Sequence, residues 1–200
     1  MDPVNLAFLL MLVAFLLLTL TAAARDLRRR WSPVGPSHDG PQLKSSVPDL
    51  LLLLAVATGW YNVSSVWIAQ LINYPLYADM STYGPQAFLA FRRRYDSGLP
   101  IIMLPTALMC LAWGVLLWLP CRNVPKRIVW TNVVFCVAFV AATVIPASTQ
   151  VQMVREGFSN ALETRLLWSN GIRAIILTIL GVLTLSAVRR RWMNSDPTGA

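Results

Sequence analysis

Asn170 and Arg173 are the residues of this sequence best suited to chemistry, because they interrupt an otherwise apolar run. A spacing of three places their side chains one turn apart on the same side of a helix. The arginine guanidinium keeps its charge and presents a planar fork of donors that fits a carboxylate or a phosphate. An arginine among apolar residues needs a polar partner or a ligand, so the pair indicates a polar site inside a helix bundle.

Further polar residues fall at the same depth in two other apolar runs. At 1.5 Å per residue, Arg173 lies roughly 10 Å inside the end of its own run. Three helices therefore bring polar groups to one end of the bundle, which we predict to be its outer end. The predicted ligand-binding residues are Gln70, Asn73, Tyr74, Gln150, Asn170 and Arg173.

Two interpretations of Arg173 remain open. In the first, its guanidinium contacts a small amphiphilic or anionic ligand between the helices. In the second, its role is structural: it extends toward the interface, or it joins Glu163, Gln150 and Asn73 in a network that links helices.

Metal, cofactor and triad chemistry have little basis in the sequence. The single histidine, His38, lies in the Pro-, Gly- and Ser-rich stretch 31–47, far from the polar groups above. The cysteines Cys110, Cys121 and Cys136 form no C-x-x-C pair, and we expect them to be buried, inert thiols. No two carboxylates share an apolar run. We therefore predict no metal and no cofactor, and the catalytic residues, if the chain is an enzyme, stay unknown.

The composition indicates how these residues are held. Of the 200 residues, 56% are hydrophobic and only 13% are charged, which is far from the average of soluble domains. Each membrane-spanning helix requires about 20 apolar residues to cross the hydrocarbon. The sequence therefore predicts an all-α, polytopic transmembrane helix bundle and no separate soluble domain.

Five apolar runs divide the chain. We predict an N-terminal anchor over 1–24, a cytoplasmic loop over 25–47, a four-helix bundle over 48–188 and a cytoplasmic tail over 189–200. Within the bundle the expected spans are 50–71, ending near Pro75, then 99–119, 128–147 and 166–188. The outer connection 75–98 is expected to hold an interfacial helix over 86–95. The first run also resembles a signal peptide with a small-residue cleavage site, but its basic residues follow it, which favours an uncleaved anchor.

The distribution of charge predicts the orientation. The net charge is +8, and with five spans and an outward N-terminus, eleven of the 17 basic residues fall in cytoplasmic segments. The sequence therefore predicts a multi-pass protein of the bacterial inner membrane with a cytoplasmic C-terminus. Membrane lipids are the expected partners, Arg92, Arg93 and Arg94 are expected to contact headgroups, and nucleic acid is not expected.

Residues 60–185 resemble a family of small, mostly uncharacterised bacterial inner-membrane proteins with four core helices. The likeness is carried by Gln70-Leu-Ile-Asn-Tyr-Pro75, by Pro105, by the stretch Gln150–Phe158 and by Arg165-Leu-Leu-Trp-Ser-Asn170-Gly-Ile-Arg173. That family is distantly similar to the anthrone-oxygenase-like membrane group, which implies oxidation of small aromatics with little use of cofactors.

The chain departs from that family at its histidines. Family members often carry histidines in the outer loop and before the last span, where this chain has residues such as Val154 and Glu163. If those histidines perform the chemistry, this chain has lost it. Three functions therefore remain: a ligand-binding membrane protein, an accessory subunit whose polar residues only pack helices, and a cofactor-poor membrane oxygenase.

Overall fold

The part of the chain that the structure describes is all-α, as predicted. The computed structural model describes residues 13–22, 24–25, 47–121 and 124–192. Residues 1–12, most of the loop predicted over 25–47 and the tail beyond 192 lie outside this part of the chain. The described helices are α1 (Val13–Ala22), α2 (Val47–Ile68), a π-helical segment (Ala69–Asn73), α3 (Pro75–Thr82), α4 (Pro85–Leu116), α5 (Lys126–Ala142), α6 (Val144–Glu156) and α7 (Asn160–Trp192).

Four helical stretches within these ranges are long and apolar enough to cross a membrane: Val47–Thr82, Pro85–Leu116, Lys126–Glu156 and Asn160–Arg191. The chain therefore has the properties of a multi-pass membrane protein. The apolar helix α1 is shorter, so the fifth predicted span stays a prediction.

The four long stretches form one bundle. α2 packs against α4 and α7, α5 and α6 both pack against α7, and α4 also contacts α5. The tight contact between α2 and α7 depends on Gly181, where an added Cβ would meet Val63 at 3.2 Å and Trp60 at 3.6 Å. Small residues of this kind let two helix backbones approach each other in a membrane, where apolar burial gives little drive for association.

The short helix α1 docks on the last turns of α4. Phe15 is 1% exposed, and an added Cβ at Gly114 would lie 3.1 Å from its ring. The Trp118 indole donates to the Leu18 carbonyl at 3.1 Å. Arg25 donates to the Leu117 carbonyl at 2.9 Å and lies 4.1 Å above the Trp118 ring. Phe15, Leu18 and Arg25 therefore pack the described part of the N-terminal segment against the bundle.

Several predicted helix boundaries are wrong. The helix that begins with α2 does not end near Pro75; it continues through the π-helical segment into α3, where Pro75 occupies a first-turn position that tolerates proline. Likewise α4 begins at Pro85, so 86–95 is not a separate interfacial helix but the first three turns of a helix that enters the bundle. The polar stretch 150–164 is also helical apart from 157–159.

The bundle has two ends that differ in polar contacts. The end that holds α3 and the connection 157–159 is called the site end below, and the other the far end. At the far end Asp49 of α2 accepts from the Arg191 Nε and Nη2 of α7, both at 2.6 Å. Cys121 donates to Asp49 at 3.1 Å. Burial and this carboxylate raise the pKa of the Cys121 thiol to about 11, which agrees with the expectation of inert thiols, and all three cysteines are free and buried.

We expect Gly181→Leu to destabilise the bundle because the new side chain must displace Val63 and Trp60. A loss of about 1–3 kcal/mol in the free energy of unfolding is typical of such overpacking. Thermal unfolding in detergent measures it. Gly98→Leu is the matched control, since no atom lies within 4 Å of a Cβ added at Gly98; equal losses in both variants would contradict the close α2–α7 contact.

Asp49→Asn is expected to lower the melting temperature, because it removes the charge that joins α2 to α7 at the far end. The pair is partly exposed, with side-chain exposures of 19% and 29%, so the loss is about 1 kcal/mol and becomes smaller at high salt. The exposed Asp79, changed to Asn, serves as the control. A salt-independent loss, or none, would show that this ion pair does not hold the helices together.

Candidate functional site

A cavity of about 500 Å³ lies between the helices near the site end. This volume falls within the range of small-molecule sites in proteins. Its walls come from α2, the π-helical segment, α4, α5, α6 and α7. The walls are mostly polar near the site end and mostly apolar deeper in the bundle. The residues that line the cavity include Tyr61, Asn62, Val66, Ile68, Asn73, Tyr74, Tyr95, Leu99, Ile102, Met103, Thr106, Phe139, Thr143, Ala147, Gln150, Asn170 and Arg173.

The π-helical segment aims two polar side chains into the cavity. The Tyr74 amide donates to the Ala69 carbonyl at 3.0 Å, a bond that spans five residues and so adds one residue to the turn. Both Asn73 and Tyr74 line the cavity as a result. Single π-helical turns of this type are frequent at functional sites.

A break in the third long stretch, Lys126–Glu156, shapes another part of the cavity wall. Pro146 has no N–H to donate to the Ala142 carbonyl, and the helix changes at Thr143 from α5 to α6. The Thr143 hydroxyl donates to the Phe139 carbonyl at 2.8 Å. On either side of this break, Phe139 and Gln150 both face the cavity.

Arg173 is the buried cation of the site, with only 6% of its surface exposed. Its Nη1 donates to the Asn170 Oδ1 at 3.1 Å, and the guanidinium carbon lies 5.1 Å from the centre of the Phe139 ring. The buried Nε has no hydrogen-bond partner. Across the described ranges the ion pairs involve Arg92 and Arg191, and no carboxylate there neutralises Arg173.

Asn170 holds Arg173 in place and links α7 to α2. Because an arginine only donates, its bond identifies the Asn170 oxygen, and the Asn170 nitrogen then donates to the Gln70 Oε1 at 2.9 Å and to the Val66 carbonyl at 3.3 Å. Gln70 is therefore not in the cavity wall but behind Asn170. Glu163, expected as a possible partner of Arg173, makes no such contact.

A second buried arginine, Arg92, was missed as a site residue. It is 1% exposed, whereas Arg93 and Arg94 are exposed, so the expected headgroup contact is wrong for Arg92. Its Nη2 donates to Asp96 at 2.7 Å and to the Gln150 Oε1 at 3.3 Å. Phe88, Arg92 and Asp96 recur every four residues, a helical spacing that could have indicated one buried face.

Gln150 connects the two arginines through Tyr74. Its oxygen accepts from Arg92, so its nitrogen donates to the Tyr74 hydroxyl, at 3.0 Å. Tyr74 also faces Arg173. In this part of the chain no side chain or carbonyl accepts the Tyr74 hydroxyl hydrogen, which leaves it available to the cavity.

At the deeper end of the cavity the polar groups satisfy one another. The Thr106 hydroxyl donates to the Asn62 Oδ1 at 2.6 Å, and the Asn62 nitrogen donates to the Thr58 carbonyl at 2.7 Å. Unlike the site end, this region requires no polar partner from a ligand.

The structure thus brings five of the six predicted residues to the walls of one cavity, Gln70 being the exception. Within the described ranges, no cluster of His, Cys, Asp and Glu could hold a metal ion. Fold and site together define a multi-pass helical protein with a cavity that is cationic near the site end and mostly apolar beyond it. Comparison with known proteins finds no matching family model, no matching curated protein and no matching solved structure.

We expect Asn170→Leu to destabilise the protein, because it leaves the Arg173 Nη1 and the Gln70 carbonyl buried without their partner. The cost of such unsatisfied groups is about 1–3 kcal/mol, measurable by thermal unfolding. Gln86→Leu, at an exposed position of α4, is the control. If Asn170→Leu melts like the wild type, the Arg173–Asn170–Gln70 contacts do not link α7 to α2.

Proposed function

We propose that this chain is an integral membrane protein that binds a small anionic amphiphile in the cavity, with Arg173 holding the anionic group. The observation that carries the proposal is a buried guanidinium with an unpartnered Nε on the wall of a mostly apolar cavity. An unpaired buried charge is costly in a low-dielectric environment. A bound anion removes that cost.

The directions of the hydrogen bonds support an anion over a neutral or cationic group. The Asn170 and Gln150 oxygens are already occupied by arginine donors. Toward the ligand, the Arg173 Nε and the Tyr74 hydroxyl hydrogen remain as donors, beside the Asn73 amide and the Tyr95 hydroxyl, which can also donate. A group with only acceptors, such as a carboxylate or a phosphate, fits this end of the cavity best.

The structural alternative has an observation of its own. The bond from Asn170 to Gln70 joins α7 to the π-helical segment, which is what an accessory subunit without a ligand would use to fix its helices. In that case Arg173 contributes to stability alone, and no amphiphile changes the melting temperature.

For the setting of the protein we propose a bacterial inner membrane, five spans, an outward N-terminus and a cytoplasmic C-terminus. The basic clusters at the ends of the long helices support this orientation through the positive-inside rule. The site end then faces outward, so the ligand would be held in the outer half of the bilayer.

Three amphiphiles with the same 16-carbon chain test the function: hexadecanoate, hexadecanol and hexadecyltrimethylammonium, each added to protein in non-ionic detergent above pH 8. We expect hexadecanoate alone to raise the melting temperature, because only it presents an acceptor anion to Arg173. A ligand at 100 times its Kd stabilises by about 2.7 kcal/mol, a shift of several degrees.

Arg173→Gln should abolish the hexadecanoate shift, while Arg93→Gln, which alters an exposed arginine near the same end, should retain it. A shift that is the same for all three head groups, or that survives in Arg173→Gln, would rule out Arg173 as the anion anchor. No shift in any protein would support the structural alternative.

A further inference from the structure

The site end of the cavity is closed by a layer of aromatic side chains. This layer, the aromatic cap, consists of Tyr77, Phe88, Phe91 and Phe158. Tyr77 and Phe88 are 0% and 2% exposed. Their ring centres lie 6.1 Å apart, and Phe88 lies 5.9 Å from Phe158, both edge to face.

Along α3 and α4 the aromatic cap lies directly beyond the polar end of the cavity, and Phe158 joins it from the connection 157–159. Tyr77 follows Tyr74 by one turn, and Phe88 precedes the cavity-lining Tyr95 by two turns. Met153 and Leu166, both 0% exposed, fill the same layer from α6 and α7. The buried Arg92 packs over the Tyr77 ring at 4.9 Å. These packed side chains therefore lie between the water at this end and Arg173, and a separate cavity of about 500 Å³ is lined by Phe88 and Phe158.

The side of the cavity along α2 and α4 is different. Tyr61 and Ile68 of α2 and Ile102 of α4 all line the cavity, yet their exposed fractions are 44%, 50% and 37%. Wall residues with exposed fractions this large indicate an opening, called the side opening below. It lies along the apolar surface of two of the stretches that are long and apolar enough to cross a membrane.

The order of polar and apolar regions along the cavity also matches the head group and tail of an anionic lipid. Donors lie at the Arg173 end, apolar residues such as Val66, Leu99 and Met103 follow, and the deeper Asn62 and Thr106 are already bonded to each other. A charged head group at Arg173 with a hydrocarbon tail along α2 and α4 matches each of these regions.

We infer that the ligand is a bilayer-resident lipid anion that enters sideways from the membrane, with its head group at Arg173 and its tail leaving through the side opening between α2 and α4. The inference rests on the proposed function and adds the source of the ligand and its route. The oxyanion can belong to a free fatty acid or to a phosphate-bearing lipid, since both present only acceptors to Arg173 and Tyr74.

The test uses protein in phosphatidylcholine nanodiscs and hexadecanoate that carries a photoreactive diazirine in mid-chain. We expect labelled peptides to come from α2 and α4 around Ile68 and Ile102. Ile102→Trp fills the side opening and should lower the labelling at least fivefold, and Ile68→Trp, from the opposite wall, should do the same if the first variant fails to fold. Ile172→Trp is the matched control, because Ile172 is 53% exposed on α7 but does not line the cavity; its labelling should be unchanged.

Competition for the labelling site distinguishes a fatty acid from a phosphate-bearing lipid, and entry from the membrane from entry from water. Unlabelled hexadecanoate or phosphatidic acid should displace the probe, and whichever competes better identifies the head group, while butanoate at the same concentration should not compete. If butanoate competes equally, or if both opening variants label like the wild type, the ligand does not enter from the membrane and the inference fails, although binding at Arg173 stands. If labelling is the same in Arg173→Gln, the proposed function itself fails.

Discussion

The burial of Arg173 is the constraint on which the rest of the site depends. A guanidinium cannot release its proton and costs several kcal/mol when it leaves water without compensation. The bundle compensates part of this cost with Asn170 and the face of Phe139, and leaves the Nε without a partner. Two features of the site end follow from what that charge requires: the oriented amide of Asn170 and the cavity beside the free Nε.

Two local departures from regular α-helix make this arrangement possible. The extra residue in the π-helical segment turns Asn73 and Tyr74 inward, and the break at Thr143 lets Phe139 and Gln150 face the same space. The rest of the bundle is held by contacts elsewhere, such as Gly181 between α2 and α7 and Asp49 with Arg191 at the far end. Since the packing does not depend on filling the cavity, the space beside Arg173 can persist.

The sequence predicted the all-α bundle and most of the candidate site. The free-energy cost of burying a polar side chain depends directly on the residue type and on its depth in an apolar run. Polar groups in apolar runs are rare, so Asn73, Asn170 and Arg173 were found from their positions alone. The conformation of the backbone was harder to predict from the sequence. Pro75 is typical of a helix end, and only the tertiary structure shows that the chain continues through a π-helical turn. Arg92 was missed because a run of three arginines is typical of contact with lipid headgroups. The spacing that buries one of them becomes evident only once α4 is known to begin at Pro85.

Native mass spectrometry of the purified protein tests the central claim most directly, since it detects what the cavity holds after extraction from the membrane. Wild type and Arg173→Gln would be released from the same mild detergent and compared for bound adducts. The account predicts one anionic lipid on the wild type and its loss in Arg173→Gln. Equal adducts on both proteins, or an adduct that carries no anionic group, would contradict it.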